Sequence, residues 1–331
     1  MSKPSWGAVG LVLVLVISTV ACQAVGPQAT VAPTPVMVML DWFPNTNHTG
    51  LYVALDKGWY AEQGLDVQII EPAEGSTLVQ VVAAGQADFG VSYQEEVCYA
   101  RAENVPIVSI AAVIQHNTSG FASPADRGIV RPKDLEGKRY GGWGSPIERA
   151  VLDVLMACDD GDVEKVEFID VGFADFFTIV ERDIDFAWIF YGWTGIEAEL
   201  RGQPLSVIML DDWTECVPDY YTPVLIASEQ RIAENPDLVR RFMSATARGY
   251  DFAIQNPAEA ADILLKYAPE SNPELVRRSQ QWLSSHYQAD ADRWGEQKLE
   301  TWQTYADWMA DRELLPSRIE GAEAFTNDFL P

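Results

Sequence analysis

The sequence predicts an α/β protein whose mainly parallel sheets are covered by helices on both faces. Three observations predict it. Short apolar runs of strand length alternate with helical patterns from Val36 to Ile114. The alternation starts again after Lys133. From Asn235 onward the pattern is helical and is punctuated by Pro257, Pro269 and Pro273. Such alternation builds parallel sheets, because each crossover helix packs back onto the sheet that its strand has just left.

In chain order, Val36–Leu40 (VMVML) reads as a buried strand. Asn47–Gly58 carries Leu51, Ala54 and Leu55 at helical spacing and closes on Lys57-Gly58, a basic last turn and a C-cap glycine. Leu65–Ile70 alternates as a strand, Leu78–Ala83 is helical, Asp88–Ser92 is a strand, Glu95–Ala102 a helix and Ile107–Ile114 a strand. In the second round Lys133–Gly137 is a short helix and turn, and Lys138–Gly142 a strand. Ser145-Pro146-Ile147-Glu148 has the form of a capping box with Pro at the first helical position, opening a helix over Ile147–Ala157. Lys165–Asp170, Phe186–Phe190 and Val207–Leu210 are strands, with a helix over Asp175–Val180. The last helices cover Leu238–Ala253, Ala258–Tyr267, Glu274–Ser285 and Trp294–Met309. Trp282, Trp294, Trp302 and Trp308 fall at helical spacings and are expected in the core, as is Trp188 in mid-strand.

The N-terminus has another character. Lys3 precedes an apolar run, Ala8–Ile17, that is too short to span a bilayer well and has the build of a secretory h-region. Residues 1–21 are therefore expected to be a signal peptide. Thr19-Val20-Ala21-Cys22 resembles a bacterial lipobox, in which Cys22 becomes the lipidated first mature residue. Residues 22–35 lack charge, are rich in Pro and read as an extended tether. Palmitate-type acyl chains on Cys22 would hold the protein at the extracytoplasmic face of the cell membrane.

The formal net charge of −26 excludes nucleic acid as a partner, since phosphates demand Lys and Arg. A chain that is 48% apolar with 11 Trp is not disordered. Beyond Cys22, the cysteines at 98, 158 and 216 are too few and too scattered for a disulfide framework. One bridge stays open, with Cys158 and Cys216 as the candidate pair. No Cys or His pair has metal-site spacing, and no metal or cofactor is expected.

Five stretches carry a resemblance: "LDWFPNTNHTGLYVALDKGWYAEQGLDV", "GQADFG", "IQHNTSGFAS", "DLEGKRYGGWGSPIE" and "IDFAWIFYGW". From about Val36 onward the chain resembles the thiamine-pyrimidine-synthase-like proteins, within the type 2 periplasmic binding-protein fold. The resemblance implies two α/β lobes around a cleft, with the chain crossing near Ser119–Ala125 and Tyr221–Leu225. Residues 36–120 plus 222–331 would form the first lobe and residues 121–221 the second. The family's enzyme carries a Lys and a His just after its D-x-G strand. Here that stretch is DFGVSYQEEV, with Ser92 at or near the Lys position and Glu96 at or near the His. Without the Lys there is no Schiff base, so the resemblance implies a binder and not an enzyme. Family members of this kind bind riboflavin or a formylated aminopyrimidine, N-formyl-4-amino-5-aminomethyl-2-methylpyrimidine. The expectation is the substrate-binding component of an ABC-type vitamin importer. It would act as a monomer, capture riboflavin and deliver it to a membrane permease with its ATPase. The thiamine precursor is the alternative, and a pyrimidine synthase a distant second one.

Ligands in open α/β sheets sit beyond the carboxyl ends of strands. The strand-end loops here are Trp42–His48, Ser92–Glu96, His116–Gly120, Gly142–Pro146 and Tyr191–Trp193, and none holds Lys or Arg. They supply the candidate ligand-binding residues Trp42, Asn45, Asn47, His48, Tyr93, Glu96, Asn117, Trp143, Gly144, Ser145, Tyr191 and Trp193. Asp219, Tyr220 and Tyr221 join them beside the second crossing. Trp42 reads equally as core or cleft, and His48 more readily as a helix-start residue, with Asn47 or Thr49 as the other possible caps. Gly141-Gly142-Trp143-Gly144 has no Lys after it and is not a phosphate loop; it suits the approach of a flat ligand to the backbone. Aromatic walls, amides and few cations point to a flat, neutral, nitrogen-rich ring. Seven aromatics (Trp42, Tyr93, Trp143, Tyr191, Trp193, Tyr220 and Tyr221) exceed what one small pyrimidine needs, which favours riboflavin.

Overall fold

A computed structural model describes residues 1–2, 32–72, 78–172 and 174–331. The expected signal peptide, Cys22 and most of the tether lie outside the described residues. Pro33–Pro331 forms one compact unit.

Among the described residues ten strands build two five-stranded sheets. They are β1 Thr34–Met39, β2 Leu65–Ile70, β3 Phe89–Ser92, β4 Ile107–Ala112, β5 Ser119–Pro124, β6 Arg139–Gly142, β7 Glu167–Asp170, β8 Phe186–Phe190, β9 Leu205–Met209 and β10 Val224–Ser228. The first sheet has the order β2-β1-β3-β10-β4 and the second β7-β6-β8-β5-β9. Strand β1 pairs parallel with β2, Thr34 opposite Leu65 through Met39 opposite Ile70. In each sheet four strands run one way and one runs against them: β10 is antiparallel to β3 and β4, and β5 to β8 and β9. The sheets are thus mixed, and the expectation of mainly parallel sheets holds for strand direction but not for half of the pairings.

The two reversed strands are those the sequence placed at crossings. Ser119–Ala125 is mostly β5, and the chain passes from the first sheet to the second over residues 113–118. The return covers residues 210–223 and ends where Val224 enters β10. The family resemblance placed a crossing at SGFASP, which is strand for its whole length. Gly120 is instead needed inside the strand, where a Cβ would meet the Ile208 carbonyl of β9. The tether also ends earlier than residue 35, since Thr34 and Pro35 already belong to β1.

Among the described residues twelve helices accompany the strands: α1 Thr49–Asp56, α2 Trp59–Glu62, α3 Leu78–Ala83, α4 Gln94–Ala102, α5 Pro146–Cys158, α6 Phe176–Val180, α7 Ile196–Arg201, α8 Glu229–Glu234, α9 Pro236–Gln255, α10 Pro257–Tyr267, α11 Pro273–Leu283 and α12 Leu299–Asp311. The final helix starts five residues later than Trp294, the start read from the sequence. Helix α9 shows why the C-terminal segment is helical. Asn235 caps it by accepting the Leu238 N–H, Pro236 follows, and Leu238, Phe242, Ala245, Gly249 and Ala253 are buried along one stripe. It packs against α1 so closely that a Cβ on Gly249 would collide with the Gly50 carbonyl. The Tyr250 ring stacks on Trp294 with centroids 4.1 Å apart, and Phe242 on Phe89 at 3.9 Å.

All strands that share a direction end at the same sheet edge, and the two reversed strands begin there. The loops after β1, β3, β6 and β8 and both crossings therefore gather on one side of the two sheets. Helices α11 and α12 reinforce the join. Ser279 of α11 donates to the Gly192 carbonyl after β8, and the Trp308 indole N–H of α12 donates to the Cys216 carbonyl at 3.2 Å.

Candidate ligand-binding site

Asp41, the second residue after β1, anchors the first half of the site. Its Oδ1 lies 2.6 Å from His48 Nε2 and its Oδ2 accepts the Tyr93 hydroxyl at 2.6 Å. His48 Nδ1 accepts the Asn45 backbone N–H at 3.2 Å, so Nε2 carries the proton toward Asp41. Burial works against the Asp41 carboxylate, but His48 and Tyr93 outweigh it and hold its pKa below the ordinary value. The Tyr93 phenol is pushed well up, by burial first and then by Asp41.

One turn along, Ser92 Oγ donates to Glu96 at 2.7 Å. This pair lies at or near the positions where the resemblance puts the synthase's Lys and His, and it offers no amine. Glu96 is raised above the usual carboxylate range by burial, against the Ser92 hydrogen bond. Glu95 beside it is pushed up to about 8, chiefly by burial, and its Oε2 is buried without a hydrogen-bond partner.

The second half lies beyond β6 and β8. Trp143 is 40% exposed, with its ring 5.6 Å from Trp188. The Trp188 indole N–H donates to Ser119 Oγ at 2.7 Å, and that hydroxyl donates to Asn117 Oδ1 at 2.6 Å. Glu148 holds the glycine-rich turn from behind, accepting the N–H groups of Trp143 and Ser145 and the Tyr140 hydroxyl at 2.6–3.0 Å. The expected capping glutamate is therefore present, and burial raises its pKa. Gly144 adopts φ +89°, a left-handed conformation that suits glycine, near the Asp170 carboxylate.

The crossings join the halves. Asp219 Oδ1 accepts the backbone N–H groups of Asn117 and Tyr220, both at 2.9 Å. Its Oδ2 lies 2.6 Å from His116 Nδ1, while His116 Nε2 lies 2.9 Å from Asp290. The Asp219 hydrogen bond leads in raising the His116 pKa to about 9.

Several candidates take supporting places. His48 is fully buried with both ring nitrogens engaged, so it orients Asp41. Asn45 caps the turn Thr46–His48, and the Asn47 carbonyl accepts the Tyr250 hydroxyl. Tyr191 donates to Glu199 and leans on Trp282 at 5.5 Å. Trp193 packs against the core of the first sheet. Tyr220 and Tyr221 are each 2% exposed. Tyr220 stacks on Tyr305 at 4.3 Å, and the Tyr221 hydroxyl accepts the Lys298 N–H, so the core claims both rings. Trp42, at 37% exposure, stands out from the first half beside Phe43, itself 63% exposed.

Sequence reasoning missed Asp41, Glu95, Phe43 and Trp188. Trp188 had a legible signal: Phe186, Trp188 and Phe190 share one strand face and pass from buried through half-buried to exposed toward the carboxyl end. A separate recess of about 490 Å³, bounded by Pro124–Arg127, Phe176–Glu181 and Gly202–Leu205, opens at the opposite edge of the second sheet, away from these loops.

Comparison with known proteins agrees with this architecture. Residues 45–260 match the family described as NMT1/THI5 like. A formylaminopyrimidine-binding protein of Halalkalibacterium halodurans is 30% identical over 95% of this chain and 96% of its own length. The riboflavin-binding protein RibY of Chloroflexus aurantiacus is 27% identical over 97% and 96%. A Legionella pneumophila protein named 4-amino-5-hydroxymethyl-2-methylpyrimidine phosphate synthase is 24% identical over 89% and 92%. Among solved structures, the alkanesulfonate-binding protein SsuA of Xanthomonas axonopodis pv. citri superposes with a TM-score of 0.67 at 15% identity, covering 89% of this chain and 99% of that one. The architecture is that of the periplasmic binding proteins, and the chain belongs to the NMT1/THI5-like family.

Proposed function

We propose that this substrate-binding protein serves an ABC-type importer and captures a neutral, nitrogen-rich heterocycle, with a formylated aminopyrimidine as the best fit. One observation carries the reading. The strand-end loops combine the exposed rings of Trp42, Phe43 and Trp143 with the carboxyl groups of Asp41, Glu95 and Glu96, and contain no Lys or Arg. The ionised Asp41 repels a sulfonate or phosphate, and the carboxyl oxygens offer acceptors to ring and exocyclic N–H groups. Flat rings gain from stacking on the exposed aromatics. The withdrawal of Tyr220 and Tyr221 into the core shortens the aromatic surface that favoured a flavin. The similarity to a formylaminopyrimidine-binding protein supports the same choice. Riboflavin is the second reading, supported by the similarity to RibY and by Trp188, which extends the Trp143 surface.

The Cys158–Cys216 disulfide suits an oxidising, extracytoplasmic compartment. A signal peptide, a lipid on Cys22 and delivery to a permease with its ATPase belong to this proposal. Calorimetric titration of the mature protein with the formylated aminopyrimidine and with riboflavin tests it. One pyrimidine per chain, binding at micromolar concentration or below with riboflavin emission unchanged, is the expected result. Saturable quenching of riboflavin alone would install the second reading. If neither binds, the family has given a fold without its function.

A further inference from the structure

Among the described residues the strands β2, β4, β7 and β9 end a sheet. Three of these edges are protected against pairing with another chain. Edge β4 is covered by the C-terminal segment: the Ser109 N–H donates to the Ala324 carbonyl and the Thr326 N–H to the Ser109 carbonyl, both at 2.9 Å. The Ala112 N–H donates to the Gly295 carbonyl at 3.0 Å. Edge β2 carries the exposed Asp66, and edge β7 the exposed Glu167 and Asp170. Charges on an edge strand discourage a further strand from joining. Strand β9, LSVIM, has no charge, no Pro and no covering segment among the described residues.

The register shows which groups of β9 are free. The Ala125 N–H donates to the Pro204 carbonyl at 2.9 Å, so Ser206 and Ile208, at even steps along the ladder, turn their N–H and C=O toward β5. Leu205, Val207 and Met209 turn theirs outward, and among the described residues these groups have no hydrogen-bond partner. The side chains of Leu205 and Val207 pack on the core beneath α6, which holds the strand in place. Each end of this edge carries a further feature. The recess of about 490 Å³ opens at the N-terminal end, with Phe176, Phe177, Val180 and Leu205 as its apolar wall. Asp211 and Asp212 follow the C-terminal end; both are exposed, and neither forms an ion pair among the described residues.

We propose that the outer edge of β9 is a docking surface for an extended strand of another protein, with an apolar side chain at one end of that strand and Lys or Arg at the other. The outward N–H and C=O groups of Leu205, Val207 and Met209 supply the backbone ladder, which gives affinity in strand addition. The recess takes the apolar side chain. Asp211 and Asp212 take the basic one, and with the recess they set the register. Charge selects the occupant. A second copy of this chain brings the same formal net charge of −26, and repulsion works against its seating. A basic strand is attracted by the same field. The surface lies on the outer edge of the second sheet, so docking leaves the loops after β1, β3, β6 and β8 free to hold a ligand.

The test uses the mature protein and two short fluorescein-labelled peptides, read by fluorescence anisotropy. One peptide runs leucine, alternating threonine and valine, then two lysines; the other has the reverse order, so that both strand directions are offered. A third peptide has glutamates in place of the lysines. One lysine peptide should bind saturably, one per chain, and the glutamate peptide more weakly. Val207→Pro removes an outward N–H and leaves the pairing with β5 intact, so affinity should fall about three- to tenfold at an unchanged melting temperature. Met209→Pro, at another outward N–H, answers the same question if Val207→Pro does not fold. Asp211→Asn with Asp212→Asn should lower affinity and flatten its dependence on salt. No saturable binding of either lysine peptide up to about 1 mM would overturn the proposal. So would folded proline variants that bind as wild type does. Sedimentation showing a dimer of the wild type that Val207→Pro dissociates would also overturn it, because a second copy would then cover the edge.

Discussion

Asp41 shows what a single side chain carries here. It sits at the end of a buried strand, takes a hydrogen bond on each oxygen and fixes the orientation of Tyr93 and His48 together. An Asn at this position would turn an NH₂ group toward one of two donors. Asp41→Asn should therefore cost about 2–4 kcal/mol at pH 7, measured by urea denaturation. The sign with pH follows from the lowered pKa. A carboxyl depressed in the folded state contributes its stability above the unfolded pKa, near 4, and loses it as pH falls through the folded value. The gap between wild type and variant should hold steady from about pH 5 to 8 and shrink below about pH 4. A gap that widened in acid would contradict the assignment of an ionised Asp41.

At the scale of elements, the second crossing is a long irregular connection that needs fastening. The Cys158–Cys216 disulfide ties it to the C-terminal end of α5, closing a loop of 58 residues in sequence separation. Tyr221 fastens its far end, with its N–H given to Gln94 Oε1 and its carbonyl taking the Gln94 N–H. Removing the bridge with Cys158→Ser and Cys216→Ser together should cost about 2–4 kcal/mol, read as a lower melting temperature, with dithiothreitol giving the same loss in wild type. A double variant as stable as wild type would mean that the remaining contacts of the crossing suffice.

At the scale of the molecule, two connections pass between the sheets, and α11 and α12 brace them. If residues 113–118 and 210–223 act as hinges, ligand should draw the lobes together. Small-angle scattering should then show a smaller radius of gyration at saturating ligand. The braces make the change modest. An identical profile with and without bound ligand would mean that the lobes are already closed in the free protein or do not move.

Hydrophobic period and capping chemistry are local signals, so the α/β class, most strands and helices, and the loops that gather at one edge are legible in the residues alone. The capping run at Ser145–Glu148 and the apolar strand at Ile107–Ala112 were legible in this way. Tertiary structure alone decided the rest. Strands β5 and β10 stand where the resemblance placed crossings, and pairing between β8 and β9 or β3 and β4 makes them strands. Tyr220 and Tyr221 resemble ligand contacts until Tyr305 and the N-terminal end of α12 cover them from more than 75 residues away. Asp41 became central only when a histidine 7 residues on and a tyrosine 52 residues on met its two oxygens. A side chain's burial and partners depend on what the rest of the chain brings beside it, and residue type and spacing do not contain that.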